Sequence, residues 1–262
     1  MAKTFKILIT GKNGYIGNEL TSFFKKKGYD ITIISRNELD LTNKISVDNW
    51  FSNKFFDVVL HTAIKGGSRL VKDDENIIYH NLRIFLNLFD NKNNFKKFIN
   101  FGSGAEIFST DTPYGFSKKI IREFILKTKS FYNIRIFNVF NEFEKDTRFI
   151  KTNLKNYINK LPIVIHENKL MDFFYMEDLC NLIEYYITNE EILKEIDCSY
   201  SKKLSLLDVA KLINNLNNYN VPIHILSEKN GESYIGNSIL PIKQIGLEKG
   251  IQKTYNYLIN NK

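Results

Sequence analysis

Thr10-Gly-Lys-Asn-Gly-Tyr-Ile-Gly17, written TGKNGYIG, is the stretch whose reading decides the fold. A short apolar run, Lys6 to Ile9, leads into it, and an amphipathic stretch, Tyr15 to Lys27, leads out. The glycines fall at 11, 14 and 17. In a strand–turn–helix context each has a job: the first permits the tight turn, and the second lets the backbone approach a pyrophosphate. The third lets the helix sit close to the strand. The helix N-terminus then offers unpaired amide donors and a partial positive charge to phosphate groups. A glycine-rich turn without a ligand is the bland alternative, but the strand before and the helix after favour a dinucleotide cradle. Its residues would be Gly11, Lys12, Asn13, Gly14, Tyr15, Ile16 and Gly17.

Outward from this point, short apolar or β-branched runs alternate with amphipathic stretches, the pattern of βαβ units on a parallel sheet. Strands are expected at Lys6 to Ile9, Asp30 to Ile34, Asp57 to His61, Lys97 to Phe101 and Asn133 to Phe137. Helices are expected at Tyr15 to Lys27, Ile45 to Phe51, Glu75 to Asp90, Tyr114 to Phe131 and Leu204 to Leu216. Continuous apolar runs such as Val58-Val59-Leu60 suit strands covered on both faces. The fold class predicted is α/β, a Rossmann-type doubly wound parallel sheet with a small C-terminal lobe. Residues 1–140 would form the dinucleotide-binding domain. Residues 141–262 would form the smaller substrate-binding lobe, interleaved with the sheet in a single structural unit.

Composition narrows the class of protein. With 262 residues, 43% hydrophobic and 14% aromatic, the chain can bury a core and is not a disordered type. Its two cysteines, Cys180 and Cys198, cannot frame a disulfide scaffold and read as free thiols. Met1-Ala2-Lys3 runs straight into the first strand, leaving no signal-peptide hydrophobic region, and no apolar run approaches the roughly 18 residues of a membrane span. The cytoplasm is therefore expected, with no membrane partner. A net charge of +8 arises from 37 basic and 29 acidic residues spread along the chain. Only Lys25-Lys26-Lys27 clusters, at a predicted helix C-terminus where cations complement the dipole. A nucleic-acid partner is not expected; a diffuse positive field would instead gather an anionic substrate. No metal site is expected.

The second strand speaks to the cofactor. An NAD site usually carries Asp or Glu about 20 residues past the glycines to accept from the ribose 2′-hydroxyl. Here the strand ends in Ser35-Arg36, and a guanidinium can pair bidentately with a 2′-phosphate. Lys12 would add a second positive charge. NADP is favoured, with NAD as the alternative. Asp40-Leu41 follows where the chain could pass the adenine edge, although Asp40 or Thr42 could equally cap a helix.

Tyr114-Gly-Phe-Ser-Lys118 places a phenol and an ammonium four residues apart at the start of a helix, on one face. A phenol ordinarily titrates near 10; bringing it to neutrality costs about 4 kcal/mol. One ammonium about 4 Å away supplies that much at an effective dielectric of about 20. Ser103, in Phe101-Gly102-Ser103-Gly104, is expected just past the fourth strand, where residues face the ligand crevice. Its hydroxyl would hold a carbonyl oxygen while Tyr114 donates a proton.

With these residues in view, the chain resembles the extended short-chain dehydrogenase/reductase family of nucleotide-sugar epimerases, dehydratases and reductases. The resemblance runs through TGKNGYIG, His61-Thr62-Ala63, Phe101 to Glu106, Tyr114 to Lys118, Asp172 to Leu179 and the terminal Leu247 to Leu258, which reads as the family's closing helix and so as the end of a complete chain. It implies a catalytic set of Ser103, Tyr114 and Lys118. It also implies cofactor contacts from Thr62, Ala63, Tyr114 and Lys118 beside the cradle and Ser35, Arg36, Asp40 and Leu41. The stretch Ser35 to Leu39 most resembles NADP-using GDP-L-fucose synthases and similar 4-keto-sugar reductases. The implied activity is NADPH-dependent reduction of a keto group on a nucleotide-activated 4-keto-6-deoxy or heptose sugar, for glycan precursor synthesis. The resemblance also suggests a homodimer through helices Glu75 to Asp90 and Tyr114 to Phe131.

Departures from the family pattern shape this expectation. Fucose synthases epimerise with a Cys two residues past the serine and a later His; this chain has Ala105 and Arg148 there, which favours plain reduction. Met171 stands where an arginine commonly contacts the substrate nucleotide, with Lys169 close by. Of the Thr-Asp-Glu of sugar 4,6-dehydratases only Glu106 is present. Two alternatives stay open: a nucleotide-sugar 4-epimerase with tightly held NAD(P), and a non-catalytic NADP-binding sensor or scaffold.

Overall fold

The strand ends explain where the functional residues gather. The computed structural model describes residues 5–68, 70–237 and 239–261, so the leading Met1-Ala2-Lys3 lies outside the described residues. In chain order the first half holds β1 (Lys6–Thr10), α1 (Tyr15–Lys26), β2 (Asp30–Ile34), α2 (Lys44–Phe51), β3 (Phe56–His61) and α3 (Asn76–Asp90). It continues with β4 (Phe95–Ser103), α4 (Ala105–Phe108), α5 (Pro113–Lys127) and β5 (Phe131–Ile136). Then come β6 (Val139–Phe140), α6 (Phe149–Ile158), β7 (Ile163–Ile165), β8 (Phe174–Tyr175), α7 (Met176–Thr188), β9 (Glu195–Cys198), α8 (Leu206–Asn214), β10 (Ile223–Ile225) and α9 (Leu247–Asn260).

The central sheet has six strands in the order β2-β1-β3-β4-β5-β9. β1 pairs in parallel with both β2 and β3, and β3 with β4. The chain leaves β1 toward β2 and then returns to the other flank of β1 as β3. The switch point therefore lies between β1 and β3, the place where doubly wound sheets bind ligands. Register matters here. Thr10 pairs with Ile34 and His61, and His61 with Asn100, so the segments that begin at Gly11, Ser35 and Thr62 leave the sheet along the edge past which β4 runs on to Ser103.

The chain divides into two compact units, Met1–Arg135 with Tyr186–Ile196, and Ile136–Tyr185 with Asp197–Lys262. In the first, α2, α3 and α5 bury Val47, Phe51, Ile84, Phe85, Leu88, Ile121 and Ile125 against Leu8, Val59 and Phe98 of the sheet. Phenylalanines dominate. Phe98 stacks on Phe131 at 4.6 Å and meets Phe85 and Phe95 at 6.0 and 5.7 Å. Such pairs contribute about 0.5–1.5 kcal/mol each beyond their buried area. They also explain where the fifth helix stops. The sequence pattern carries it to Phe131, but α5 ends at Lys127 and Ser130 takes a left-handed φ of 64°. Phe131 then enters β5 with its ring inside the cluster, because stacking on Phe98 outweighs another helical turn.

In the second unit β7 pairs with β10 and β6 with β8, over a core that includes Phe140, Leu154, Tyr157, Ile165, Val209 and Ile251. Buried Asp178 accepts from the amides of Ile245 and Gly246 at 2.8 and 3.0 Å and from the Tyr200 hydroxyl at 2.5 Å, which fastens the start of α9. Glu144 is also buried, and its Oε1 accepts from the Lys151 amide at 3.1 Å. Burial pushes its carboxyl up to about 8, against the Lys151 amide and the Arg148 and Lys151 charges. An acid whose folded value lies above its unfolded one costs stability as pH rises from about 4.5 to 8, because the unfolded chain releases the proton first. Glu144→Gln keeps the acceptor and removes the ionisation. It is expected to stabilise the protein by about 2–4 kcal/mol at pH 8 and hardly at all at pH 4.5. Thermal melts at the two pH values test this, and an equal shift at both would contradict it.

Among the described residues, no helix is long and apolar enough to cross a membrane, and no group of three His, Cys, Asp or Glu could hold a metal ion.

Candidate active site

The cradle is built as the glycine spacing requires. Gly11 has a φ of 81°, and a Cβ there would lie 2.8 Å from Thr62 Oγ1 and 2.9 Å from the Ala63 nitrogen. Only glycine fits between β1 and the residues that follow β3. The Gly14 amide donates to the Gly11 carbonyl at 2.9 Å, and a Cβ on Gly17 would sit 2.6 Å from that same oxygen. Thr62 and Ala63 complete the seam: the Thr62 hydroxyl donates to the Thr10 carbonyl at 2.6 Å, and the Ala63 amide to Thr10 Oγ1 at 3.1 Å. Gly14 caps α1 without a side chain, and no acidic residue occupies the first turn. Amides at such a helix start are the groups that bind anions. Asn13 is exposed, and Tyr15 and Ile16 are half-buried along the same turn. These residues fit a dinucleotide pyrophosphate.

At the end of β2, Ser35 is half-buried and Arg36 exposed. Glu38, which sequence reasoning passed over, folds back onto this edge. Its Oε2 accepts from the Ser35 amide at 2.7 Å and its Oε1 lies 3.4 Å from Lys12 Nζ. The Ser35 hydrogen bonds, first of all, hold its carboxyl below the usual carboxylate range, with Lys12 adding to them. A carboxylate thus takes up the Ser35 amide and faces the Lys12 ammonium. Asp40 Oδ1 accepts from the amide and hydroxyl of Thr42 at 3.0 and 2.7 Å. Neither caps α2; the cap is Asn43, whose side chain accepts from the Ser46 amide, since Asp40 is already spent on Thr42. Leu41 is buried in the first core, and its carbonyl accepts from Asn87 at 2.8 Å.

Ser103, Tyr114 and Lys118 stand on β4 and α5 of the first unit. Thr112 caps α5, accepting from the Gly115 amide at 3.1 Å, and Pro113 fills the first helical position. Tyr114 and Lys118 follow one turn apart, with Nζ 5.8 Å from the centre of the phenol ring. Lys118 is buried, and its Nζ donates to the Phe101 carbonyl at 2.5 Å, two residues before Ser103. Burial brings the ammonium down to about 8, with the Glu106 carboxylate acting in the opposite direction. Ser103 is the last residue of β4 rather than a loop residue beyond it. Its Oγ accepts from the Ala105 amide at 3.2 Å, which leaves the hydroxyl hydrogen to donate.

Two neighbours that the sequence reading missed hold this arrangement. Gly67, at φ 74°, presses its backbone on the phenol: a Cβ would lie 2.8 Å from Tyr114 Cζ. Its amide donates to Asp73 at 3.0 and 3.2 Å. Buried Asn81 clasps the backbone of Lys65 from both sides at 2.9 Å and donates to Ser117 Oγ at 3.1 Å. The signal was an asparagine on the otherwise apolar stripe Ile77, Ile84, Phe85 and Leu88 of α3. His61, fully buried beside Thr10 Oγ1 at 3.1 Å, is pushed down to about 3 by burial and by Lys118, so it stays neutral.

The profile of the "NAD dependent epimerase/dehydratase family" matches residues 7–197. The chain belongs to that family. Within the epimerase/dehydratase family it is 24% identical to a GDP-L-colitose synthase of Yersinia pseudotuberculosis, over 98% of this chain and 99% of that protein. Among solved structures it resembles a GDP-mannoheptose C4 reductase of Campylobacter jejuni with NADP bound, at a TM-score of 0.81 and 18% identity, covering 99% of both chains. It also resembles a UDP-glucose 4-epimerase of Thermotoga maritima, at a TM-score of 0.79 and 16% identity, over 98% and 99% of the two chains. Family membership makes the chain an NAD(P)-dependent enzyme and accounts for the parallel sheet.

Departures from the epimerase/dehydratase pattern find their places as well. Ala105 opens α4, and exposed Arg148 stands at the N-cap of α6. Met171 is buried in the second core and its amide donates to the Leu204 carbonyl at 3.2 Å, so it packs the lobe. Lys169 Nζ lies 3.9 Å from Glu167.

Proposed function

We propose that the chain reduces a keto group on a nucleotide-activated sugar with NADPH. The observation that carries this is the grouping in one unit of a hydroxyl donor, Ser103, a phenol, Tyr114, and a buried ammonium, Lys118, on the sheet edge that also bears the glycine cradle. Relatives described as a GDP-L-colitose synthase and a GDP-mannoheptose C4 reductase support a keto-sugar substrate.

The bound cofactor would supply hydride to the carbonyl carbon. Gly11, Gly14 and the α1 N-terminus would hold its pyrophosphate, with Lys12, Ser35 and Arg36 around the adenosine 2′-phosphate. Ser103 donates a hydrogen bond to the carbonyl oxygen, orients it and stabilises the charge that develops there. Tyr114 gives that oxygen its proton. Lys118 lowers the cost of the phenolate that remains, as an ammonium near a phenol must. Ala105 at the position where fucose synthases use a thiol supports reduction without epimerisation.

Cofactor choice is testable at Arg36. Arg36→Asp removes a cation from the 2′-phosphate and offers a carboxylate to the 2′-hydroxyl. NADPH affinity is expected to fall about tenfold to a hundredfold, from the loss of about 1.5–3 kcal/mol of charged hydrogen bonding, while NADH affinity is kept or improved. Titration calorimetry with both nucleotides decides it; an unchanged NADPH affinity would remove Arg36 from the site. The primary test is a screen of NADPH oxidation against 4-keto sugars carrying GDP, CDP, UDP and dTDP.

One observation favours a second reading. Glu38 brings a carboxylate to the Ser35 amide, the type of group that accepts a ribose 2′-hydroxyl in NAD sites. A 4-epimerase holding NAD would suit it, and tightly bound NAD released on denaturing the purified protein would support that reading over the reductase.

A further inference from the structure

The groups around Lys118 come from four elements. The Phe101 carbonyl of β4 accepts from Nζ at 2.5 Å and the Tyr114 ring of α5 lies 5.8 Å from it, while His61 of β3 and Glu106 of α4 interact with it electrostatically. Glu106 is the sole carboxylate among these partners. It is buried, and three elements hold it. Its Oε2 accepts from the Ser103 amide at 3.3 Å, while its Oε1 accepts from Asn133 Nδ2 at 2.8 Å and Arg135 Nε at 2.7 Å on β5. Asn133 Oδ1 in turn accepts from Asn100 Nδ2 at 2.7 Å on β4. Arg122, one helical turn beyond Lys118, has Nε 3.9 Å from Glu106 Oε1. Glu195 on β9 joins Arg122 and Arg135, at 2.6 and 2.9 Å. Gly102 makes room for the cluster: a Cβ there would lie 2.7 Å from Asn133 Oδ1 and 2.8 Å from Glu106 Oε2.

A buried carboxylate in such a place has a cost. Desolvation raises its carboxyl above the ordinary value, and Arg135, the Ser103 amide and Lys118 work against that rise. A neutral side chain could fill the volume at less cost. What a neutral side chain could not do is oppose the desolvation of Lys118.

We propose that Glu106 is a positioning residue that holds the Ser103 turn to β5 and acts on the Lys118 ammonium. The assignment rests on the reading of Tyr114 and Lys118 as the proton-transfer pair. Through its Ser103 hydrogen bond Glu106 fixes the hydroxyl donor, and through space it counters burial at Lys118. Arg135, bonded to Oε1, works against the desolvation of the carboxylate.

The test reads Lys118 directly and needs no substrate. The full chain is labelled with ¹³Cε-lysine, the Lys118 resonance is identified by its loss in Lys118→Met, and its pH titration is followed. A midpoint near 8 separates it from exposed lysines. Glu106→Gln, which keeps the acceptor oxygen for Arg135, is expected to lower that midpoint by about one pH unit. Glu106→Asp, with the charge retained but withdrawn by one methylene, should fall between. Equal midpoints in all three proteins would overturn the proposal; should the Gln variant fail to fold, the Asp variant against the native chain decides alone. With an accepted keto sugar in hand, the alkaline limb of the turnover profile should move acidward by the same step in Glu106→Gln. If the native protein reduces no keto sugar, the reading of the reaction fails while the lysine titration still judges Glu106.

Discussion

Tyr114→Phe is expected to lower the turnover of an accepted keto nucleotide sugar by about 10²–10⁴-fold, the range for loss of a positioned proton donor. NADPH affinity should stay within about twofold, because the cradle residues Gly11 to Gly17 lie in the turn after β1 and the start of α1 and the substitution leaves them untouched. The substitution is clean for physical reasons. The ring carbons that pack on Gly67 remain, and so does the ring face that Lys118 approaches at 5.8 Å. Only the hydroxyl leaves, so the packing of the ring is kept. Ser103 and the electrostatics of the edge survive in the variant, which sets a floor to the loss. The measurement is a pair: NADPH oxidation under saturating substrate, and NADPH binding by calorimetry. Turnover within tenfold of the native value would remove Tyr114 from proton transfer.

How much of this was written in the sequence depends on distance along the chain. The cradle was legible because its geometry is local: Gly11, Gly14 and Gly17 lie within seven residues of one another and their roles follow from strand, turn and helix. The Tyr114–Lys118 pair was legible because helical periodicity alone brings residues four apart onto one face. The neighbours that tune these groups were not. Glu106, Asn133, Arg135 and Glu195 meet only because β4, β5 and β9 are adjacent in the sheet, and nothing local marks β9 as a strand. Glu38 was missed for a subtler reason. The expected acid of an NAD site was sought at the end of β2, yet a turn returns a carboxylate there from three residues further on. The helix overrun past Lys127 has the same origin, since the pull of Phe98 on Phe131 is a contact between strands and leaves no periodic trace.

Gly115→Ala should damage stability and turnover together while sparing the cofactor cradle, and that combination distinguishes it from Tyr114→Phe. Gly115 is buried in the first turn of α5, and a Cβ there would collide with the Ser109 carbonyl oxygen and lie 2.7 Å from that of Ala105. Both obstacles are backbone, so no side-chain rotation relieves them. Ser109 cannot retreat freely, because its carbonyl accepts from both the amide and hydroxyl of Thr112, the cap of α5. The added methyl must therefore push α4 and α5 apart. An overpacked site of this kind costs about 3 kcal/mol or somewhat more. For a chain of this size that corresponds to a fall of about 6–12 °C in Tm. The functional cost follows from position. Ala105 lies two residues past Ser103 and Gly115 directly follows Tyr114, so the displacement opens the gap between hydroxyl and phenol. A misplacement near 1 Å at reacting groups can cost about a hundredfold in rate. Residual turnover should thus fall a hundredfold or more even at temperatures where the variant is fully folded. NADPH titrated in the same preparation should bind as it does to the native chain. A folded variant with native turnover would mean that α4 and α5 separate without disturbing the reaction, and that Ser103 works independently of the helix carrying Tyr114.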